Sequence, residues 1–434
     1  MNAQPDTPAH ADISAQPLSV AIVGCGVIAD NHVRALAAHG GARVVSLIDP
    51  VAPARERIAD LVREVGMDAP AQFSDLGDAL AERSVDVVVI LTPSGLHVRL
   101  AQAALAAGSH VVIEKPLDVS VPRARRILEL SEEAAERGLI VTVISQHRFD
   151  PASVVVARAA HSGGLGVVTS AVASVAWWRT QEYYDSGQWR GTWELDGGGA
   201  VMNQGVHTVD LLVWFLGRPV GVYAHTARLA HERIEVEDTA VATVRFAGGA
   251  IAVLHATTAA YPGLSVRVQV HGSNGSAVIE NDQLAYFASG GTADAAANAD
   301  PTRSPAQNRA AELVDASELY GSPRGADAFV IGHRRQYDDI IDAIRFQRAP
   351  GVTVADALLS LAVVRAVYLS ATLGREVLVD DVLDGVYDDQ DVHTENTSRS
   401  LSERQSDTSR SLSERQSDAS CSRSERQRVE GTNA

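Results

Sequence analysis

Hydrophobic positions in the first third of the chain fall in short unbroken runs, at 18–23 (LSVAIV), 43–48 (RVVSLI), 85–91 (VDVVVIL), 110–114 (HVVIE) and 139–145 (LIVTVIS). Stretches of helical periodicity separate them. Unbroken Val/Ile runs are what strands look like when helices cover both faces of a parallel sheet, so this part reads as a doubly wound α/β unit. Past Asp150 the pattern changes to longer strands at 167–178, 236–246, 250–258 and 266–271, with turn signals at Gly248-Gly249 and Ser273-Asn274-Gly275. Those features predict a large, open, mostly antiparallel sheet joined by hairpins. One helix, 202–216, interrupts the strands; two amphipathic helices, 328–345 and 354–373, and a short strand, 376–379, follow. The stretch 288–324 is rich in Ala, Ser, Asp, Asn and Pro and reads as an irregular insertion.

At 434 residues the chain is longer than one core organises, which predicts two globular units with tails. The boundaries we assign are 1–16 (disordered N-terminus), 17–145 (first unit), 146–380 (second unit) and 381–434 (disordered tail). Within the tail, TSRSLSERQSD occurs at 397–407 and again at 408–418, with a degraded third copy. One Leu per copy among Ser, Arg, Glu, Gln and Asp cannot build a core.

Composition adds exclusions. No apolar run approaches the roughly 20 residues of a bilayer span, and the N-terminus lacks an export signal, so a soluble cytoplasmic protein without a membrane partner is expected. A net charge of −17 speaks against nucleic acid as partner, because phosphate binding needs clustered cations. No metal-ligand spacing stands out. Of the 37 Lys+Arg residues only one, Lys115, is lysine.

Directly after the first run comes Gly24-Cys25-Gly26-Val27-Ile28-Ala29, a G-x-G-x-x-A turn opening a helix. Its first Gly permits a tight turn and its second lets a pyrophosphate approach the backbone and the helix N-terminus. Asp49 ends the second strand 20 residues after Ala29, where a carboxylate binds ribose hydroxyls and repels a 2′-phosphate. NAD is therefore favoured over NADP, with Arg55 and Arg57 the residues that keep NADP open. The turn at Thr92-Pro93-Ser94-Gly95-Leu96-His97 ends another strand and should run along the cofactor.

The next strand ends in Glu114-Lys115-Pro116. Pro116 stops the strand and disfavours helix at Lys115, leaving the ammonium at the ligand-binding edge of the sheet. A second constellation, GGGAVMNQGVHTVD at 197–210, puts Asn203 and His207 at i and i+4 on one helix face. A histidine there is suited to accept a hydroxyl proton.

The combination of GCGVIA, TPSGLH, EKP, QHRFDP at 146–151, the GGG…NQGVHTVDLL segment and GHRRQYDDIIDAI at 332–344 resembles the Gfo/Idh/MocA family over roughly 18–379. That resemblance implies a Rossmann domain followed by an α/β domain with a large open sheet, and NAD(P) bound at their junction. It implies a sugar or cyclitol substrate, with Lys115 and His207 as the catalytic pair. Inositol-oxidising relatives carry an aspartate four residues before the histidine. Here it is Asn203, which points to substrate orientation. WRGTWELDGGG followed by MNQGVHTVDLL is similar to the branch oxidising the 3-hydroxyl of nucleotide-linked N-acetylglucosaminuronic acid.

The expected cofactor contacts are thus Gly24, Gly26, Val27, Ile28, Asp49, Thr92, Pro93, His97, Glu114 and Lys115. Four of the five tryptophans cluster at 177–193 with arginines between them, a composition suited to sugar faces and to anionic groups. Expected substrate contacts are Arg148, Trp178, Arg179, Trp189, Arg190, Asn203 and His207. Two other functions share the scaffold: a glycosidase using transient oxidation by bound NAD, and a non-catalytic dinucleotide-binding regulator. An open sheet with one uncovered face predicts a homodimer or homotetramer.

Overall fold

The computed structural model describes residues 16–187, 189–290 and 307–394. The first sheet consists of β1 (Leu18–Val23), β2 (Ala42–Ile48), β3 (Ala71–Phe73), β4 (Val87–Ile90), β5 (His110–Ile113) and β6 (Val141–Val143). All its pairings are parallel, in the order β3-β2-β1-β4-β5-β6. Helices α1 (Ala29–His39), α2 (Ala52–Glu64), α3 (Leu76–Glu82), α4 (His97–Ala106) and α5 (Val121–Ala135) connect the strands. β4 is buried at every residue, as its VVVI run requires. This is the Rossmann arrangement, whose ligand crevice lies beyond the carboxyl ends of β1 and β4.

After α6 (Pro151–His161) the chain builds an eight-stranded sheet. Its members are β7 (Val168–Ala176), β8 (Pro219–Ala227), β9 (Thr239–Phe246), β10 (Ile251–Thr257), β11 (Val266–Gly272), β12 (Gly275–Glu280), β13 (Gln283–Ser289) and β14 (Val377–Leu378). A short α7 (Gln181–Asp185) and α8 (Val206–Leu216) lie between β7 and β8. Strand order is β13-β12-β11-β7-β10-β9-β8-β14, and only β7–β10 pair in parallel. β9 alternates buried and exposed residues, as expected for a sheet with one face on the core. Several strands escaped the sequence reading. In β8 the inward Val222, Ala224 and Thr226 and outward Tyr223 and His225 mix small, polar and aromatic groups on both faces, which hides the period of two.

Three further helices close the core: α9 (Ala328–Phe346), α10 (Val354–Leu373) and α11 (Val379–Leu383). α10 begins in a capping box in which Thr353 and Asp356 satisfy each other's backbone amides. It is the one described helix long and apolar enough to cross a membrane, yet two thirds of it is buried and it packs on β8, α5 and α8. α9, which the sequence groups with the second unit, packs instead on α1, and its Tyr337, Ile340, Ile341 and Ile344 join the core under the first sheet.

Of the 288–324 insertion, 291–306 lies outside the described residues. The remainder is more ordered than expected, with β13 running to Ser289 and 3-10 turns at Ala310–Glu312 and Ala316–Glu318. The expected disordered N-terminus lies outside the described residues up to 15, and so does the repeat tail. The expectation that disorder begins at 381 needs correction. Val382 is buried, Arg125 donates to the Leu383 carbonyl at 2.9 Å and pairs with Asp388, and Arg365 donates to the Gln390 carbonyl. The segment's low apolar content concealed this docking, which depends on arginines far away in sequence. Burying a side chain such as Val382 contributes about 1.5–3 kcal/mol. A chain ending at Asp380 should therefore unfold at lower urea concentration than one ending at Thr394; equal midpoints would show that the segment does not stabilise the fold.

Candidate active site

The glycine turn after β1 is shaped by what it touches. Gly24 has φ +99°, and a Cβ there would sit 2.8 Å from the Leu91 carbonyl at the end of β4. Only glycine fits. A Cβ on Gly26 would meet nothing within 4 Å, so that face of the turn is open. Asp49 accepts the Cys25 amide on Oδ2 and the Val51 amide on Oδ1, both at 2.8 Å, and so braces the turn from the end of β2. Arg57 donates to the carbonyls of Cys25 and Gly26 at 3.0 Å and pairs with Asp30, while Arg55 donates to the Asp49 carbonyl. Arg57 is thereby committed to the turn, whereas the buried Nε of Arg55 has no partner. Val27 is exposed and Ile28 half-buried at the start of α1. Beside them, Thr92 Oγ1 is buried with no partner. An open glycine turn at a helix N-terminus, next to an unsatisfied hydroxyl, fits a dinucleotide.

Two residues expected on the cofactor face elsewhere. His97 is buried, with Nδ1 2.9 Å from the Leu117 carbonyl and Nε2 3.0 Å from the Thr92 carbonyl. It clasps the loops after β4 and β5 and has no ring nitrogen left over. Glu114 turns inward, its Oε1 3.3 Å from His32 Nε2 on α1 and 3.6 Å from His333 Nε2 on α9. Burial alone would raise this carboxyl, but the two imidazoles and neighbouring Lys115 hold it well below the usual range. The expectation missed these roles because the partners His32 and His333 come from distant helices.

Lys115 follows β5 and reaches across to the second unit, with Nζ 3.5 Å from the Asn203 carbonyl. The segment that meets it is forced into place by three glycines. A Cβ on Gly197 would lie 2.4 Å from Val119 Cβ, one on Gly198 2.2 Å from Tyr368 Oη, and one on Gly199 1.7 Å from the Glu237 carbonyl oxygen. The Glu237 carboxylate accepts the amides of Gly199 and Val201 at 2.9 Å and the Tyr368 hydroxyl at 3.1 Å. Burial pushes this carboxyl up to about 7. The helix therefore starts as a π-turn, Val201–Gly205, before α8, not as the regular helix the spacing predicted. Such turns are common at functional sites.

Asn203 donates to Asp196 Oδ1 at 2.6 Å, and Asp196 Oδ2 accepts the Gly191 amide at 2.8 Å. Burial raises the Asp196 carboxyl above its usual range, opposed by the Gly191 amide, Asn203, Arg190 and Lys115. Asp196 was not among the expected site residues. The signal for it was its place directly before the glycine triplet. His207 makes no hydrogen bond to any described residue. Burial, with the charges of Lys115 and His147, holds its imidazole well below its ordinary value, so the ring is neutral and its nitrogens are available.

Arg148 is not a substrate contact. It is buried, and its Nε and NH2 donate to Asp210 Oδ2 and Oδ1, both at 2.7 Å. Ser145 and Ser360 also donate to that carboxylate. The pair fastens α8 three residues beyond His207. In the aromatic stretch, Arg190 lies 4.4 Å from the ring centres of both Tyr183 and Trp189 and donates to the Tyr183 hydroxyl at 2.8 Å. Arg179 stacks on Trp177 and Tyr183, and its buried Nε has no partner. Trp178 packs against Tyr261 and His231. Lys115, Asn203, His207, Asp196 and Arg190 thus converge, with Trp178 and Arg179 in an aromatic cluster joined to them through Tyr183.

A Rossmann sheet with this turn, joined to a second unit whose glycine-rich helix start meets Lys115, is the frame of a nicotinamide-dinucleotide oxidoreductase. The chain belongs to the Gfo/Idh/MocA family: residues 18–145 match the oxidoreductase family, NAD-binding Rossmann fold, and 154–278 match the GFO/IDH/MocA C-terminal domain. It is similar to the WlbA dehydrogenase of Chromobacterium violaceum, solved with NADH and UDP-GlcNAcA, at 31% identity and a TM-score of 0.70, covering 84% of this chain and 97% of that one. The Bordetella pertussis WlbA dehydrogenase, also solved with NADH and UDP-GlcNAcA, is 32% identical, with a TM-score of 0.68 over 84% and 99%. Inositol 2-dehydrogenase of Rhizobium meliloti is 27% identical over 60% of this chain and 75% of its own length. The protein is thus an NAD-dependent dehydrogenase of the group that acts on sugars and cyclitols.

Removing one partner of a buried ion pair costs about 3–5 kcal/mol. Arg148→Ala should lose that much stability in urea unfolding, because it strands Asp210 in the core. A variant as stable as the parent but raised in KM alone would return Arg148 to the substrate.

Proposed function

We propose that this protein oxidises a secondary hydroxyl of a sugar that carries a negative charge, with a nucleotide-linked sugar acid as the favoured substrate. The observation that carries the reading is Lys115 Nζ meeting the Asn203 carbonyl one turn before His207, a neutral imidazole without a hydrogen-bond partner among the described residues. Gly24, Gly26, Val27, Ile28, Asp49, Thr92, Pro93 and Lys115 are the residues that would hold NAD, and the Asp49 carboxylate with the commitment of Arg57 to backbone carbonyls and Asp30 favours it over NADP. When bound, NAD supplies the hydride acceptor. His207 takes the hydroxyl proton as general base. The Lys115 ammonium stabilises the negative charge that builds on the oxygen. Asn203, held by Asp196, orients the sugar. Arg190, spread over Tyr183 and Trp189, and Arg179 with its unpaired Nε offer cations for a carboxylate or diphosphate. The UDP-GlcNAcA bound by the Chromobacterium relative supports this substrate class.

The outer face of the large sheet supports a homodimer or homotetramer. Val172, Tyr223, Val241, Ile251 and Val253 are 37–53% exposed there and form one apolar patch on β7, β8, β9 and β10. Light scattering should return a multiple of the 45.9 kDa chain mass, and Val253→Asp should lower it; a parent that elutes as a monomer at micromolar concentration would refute the interface.

The chemistry is tested with NAD and a panel of nucleotide sugars, uronates, inositols, aldoses and aryl glycosides, following NADH and glycoside cleavage together. NADH should form with an anionic sugar. Lys115→Ala and His207→Ala should each lose about 10²- to 10⁴-fold in kcat while still quenching on NAD titration. Near-parental turnover in either variant overturns the pair. Cleavage without net NADH would instead identify a glycosidase.

A further inference from the structure

One cluster beside the proposed base has no part in the chemistry described so far. The 3-10 turn Gln146–Phe149 sets the His147 ring against His207, with centroids 4.9 Å apart and planes at 82°. His147 Nδ1 lies 2.9 Å from Asp150 Oδ2, at the start of α6, and 3.1 Å from Asp282 Oδ1. Asp282 arrives from the far edge of the large sheet. Asn281 and Asp282, with φ of +48° and +63°, are the two-residue turn between β12 and β13, and Glu280 pairs with Gln283 across it.

Each carboxylate is anchored from its other side. Arg335 NH1 binds Asp150 Oδ1 at 3.1 Å and Arg324 NH1 binds Asp282 Oδ2 at 2.6 Å, while Arg335 reaches Glu318 with its second nitrogen. The sequence Arg335, Asp150, His147, Asp282, Arg324 is a row of alternating charges provided that His147 is an imidazolium. Both carboxylates meet the same nitrogen, Nδ1, and a positive ring is what balances two negative charges held that close. Burial disfavours charge on His147, but Asp282 and Asp150 together outweigh it and push the ring up to about 10. Asp282 is held well below the usual carboxylate range by the same contacts.

His207 stands in the opposite situation. The charged groups around it are Lys115 at the end of β5, His147, and the carboxylates of Glu114 and Asp282. Burial lowers it first, Lys115 and His147 lower it further, and Glu114 and Asp282 oppose them only in part.

We propose that His147 is a positioning residue that sets the charge state of His207: pinned as an imidazolium by Asp150 and Asp282, it keeps the neighbouring imidazole free to take a proton. This rests on His207 being the base of the proposed reaction. After the hydroxyl proton moves to His207, two imidazoliums and the Lys115 ammonium face one another. That repulsion drives the proton on to water and resets the base.

Histidine-labelled full-length protein, followed by NMR through a pH titration, reads both rings without any substrate. His147 should remain doubly protonated at pH 8, and His207 should stay neutral to below pH 6. In His147→Gln the His207 midpoint should move upward by about one pH unit. In an active preparation the acid limb of kcat/KM should move with it. An unchanged His207 midpoint, or a neutral His147 at pH 8 in the parent protein, overturns the proposal; the second result needs no variant. Because the titration is independent of turnover, failure to oxidise any sugar would refute the dehydrogenase reading while leaving the measured coupling of the two rings intact.

Discussion

The geometry of the site depends on how closely the 197–199 backbone passes its neighbours. Three consecutive glycines lie against Val119, Tyr368 and the Glu237 carbonyl at distances where no side chain could exist. That approach brings the first amides of the following helix onto the Glu237 carboxylate, which satisfies donors that every helix leaves open. The helix start is then held from three directions, by the Val119 loop after β5, by Tyr368 on α10, and by Glu237 leading into β9. Asn203 and His207 inherit that rigidity. The bidentate Arg148–Asp210 pair secures the same helix one turn later.

Charge is organised around this scaffold with equal economy. The chain is strongly acidic overall, yet Lys115, His147, Arg179 and Arg190 face the convergent site or its aromatic wall. Their counter-ions sit behind them. Glu114 is wrapped by His32 and His333, and Asp150 and Asp282 are taken up by His147 and two arginines. What remains exposed to a substrate is positive, in a setting where low dielectric strengthens each interaction.

Much of the fold was legible along the chain. Unbroken Val/Ile runs marked the parallel strands, the G-x-G-x-x-A turn marked the ligand crevice, and helix 354–373 emerged with the bounds expected. The residues read wrongly share one property. His97, Glu114 and Arg148 carry polar side chains next to true site segments, and each is consumed by partners 5 to 219 positions away: Thr92 and Leu117, His32 and His333, or Asp210. Of those missed, Glu237, His147 and Asp282 gain meaning from such distant contacts, whereas Asp196 had a local signal beside the glycine triplet.

The sequence by itself determined the Rossmann unit, the dinucleotide turn and the position of Lys115 after a buried strand, because local periodicity and glycine conformation act over a few residues. Only the tertiary structure decided which of the neighbouring polar groups face the crevice and which brace it. A buried charge or hydrogen-bonding group must find a partner wherever the fold supplies one. For Asp282 those partners are His147 and Arg324, outside its own hairpin, and for Glu114 they lie on two helices far apart in the chain.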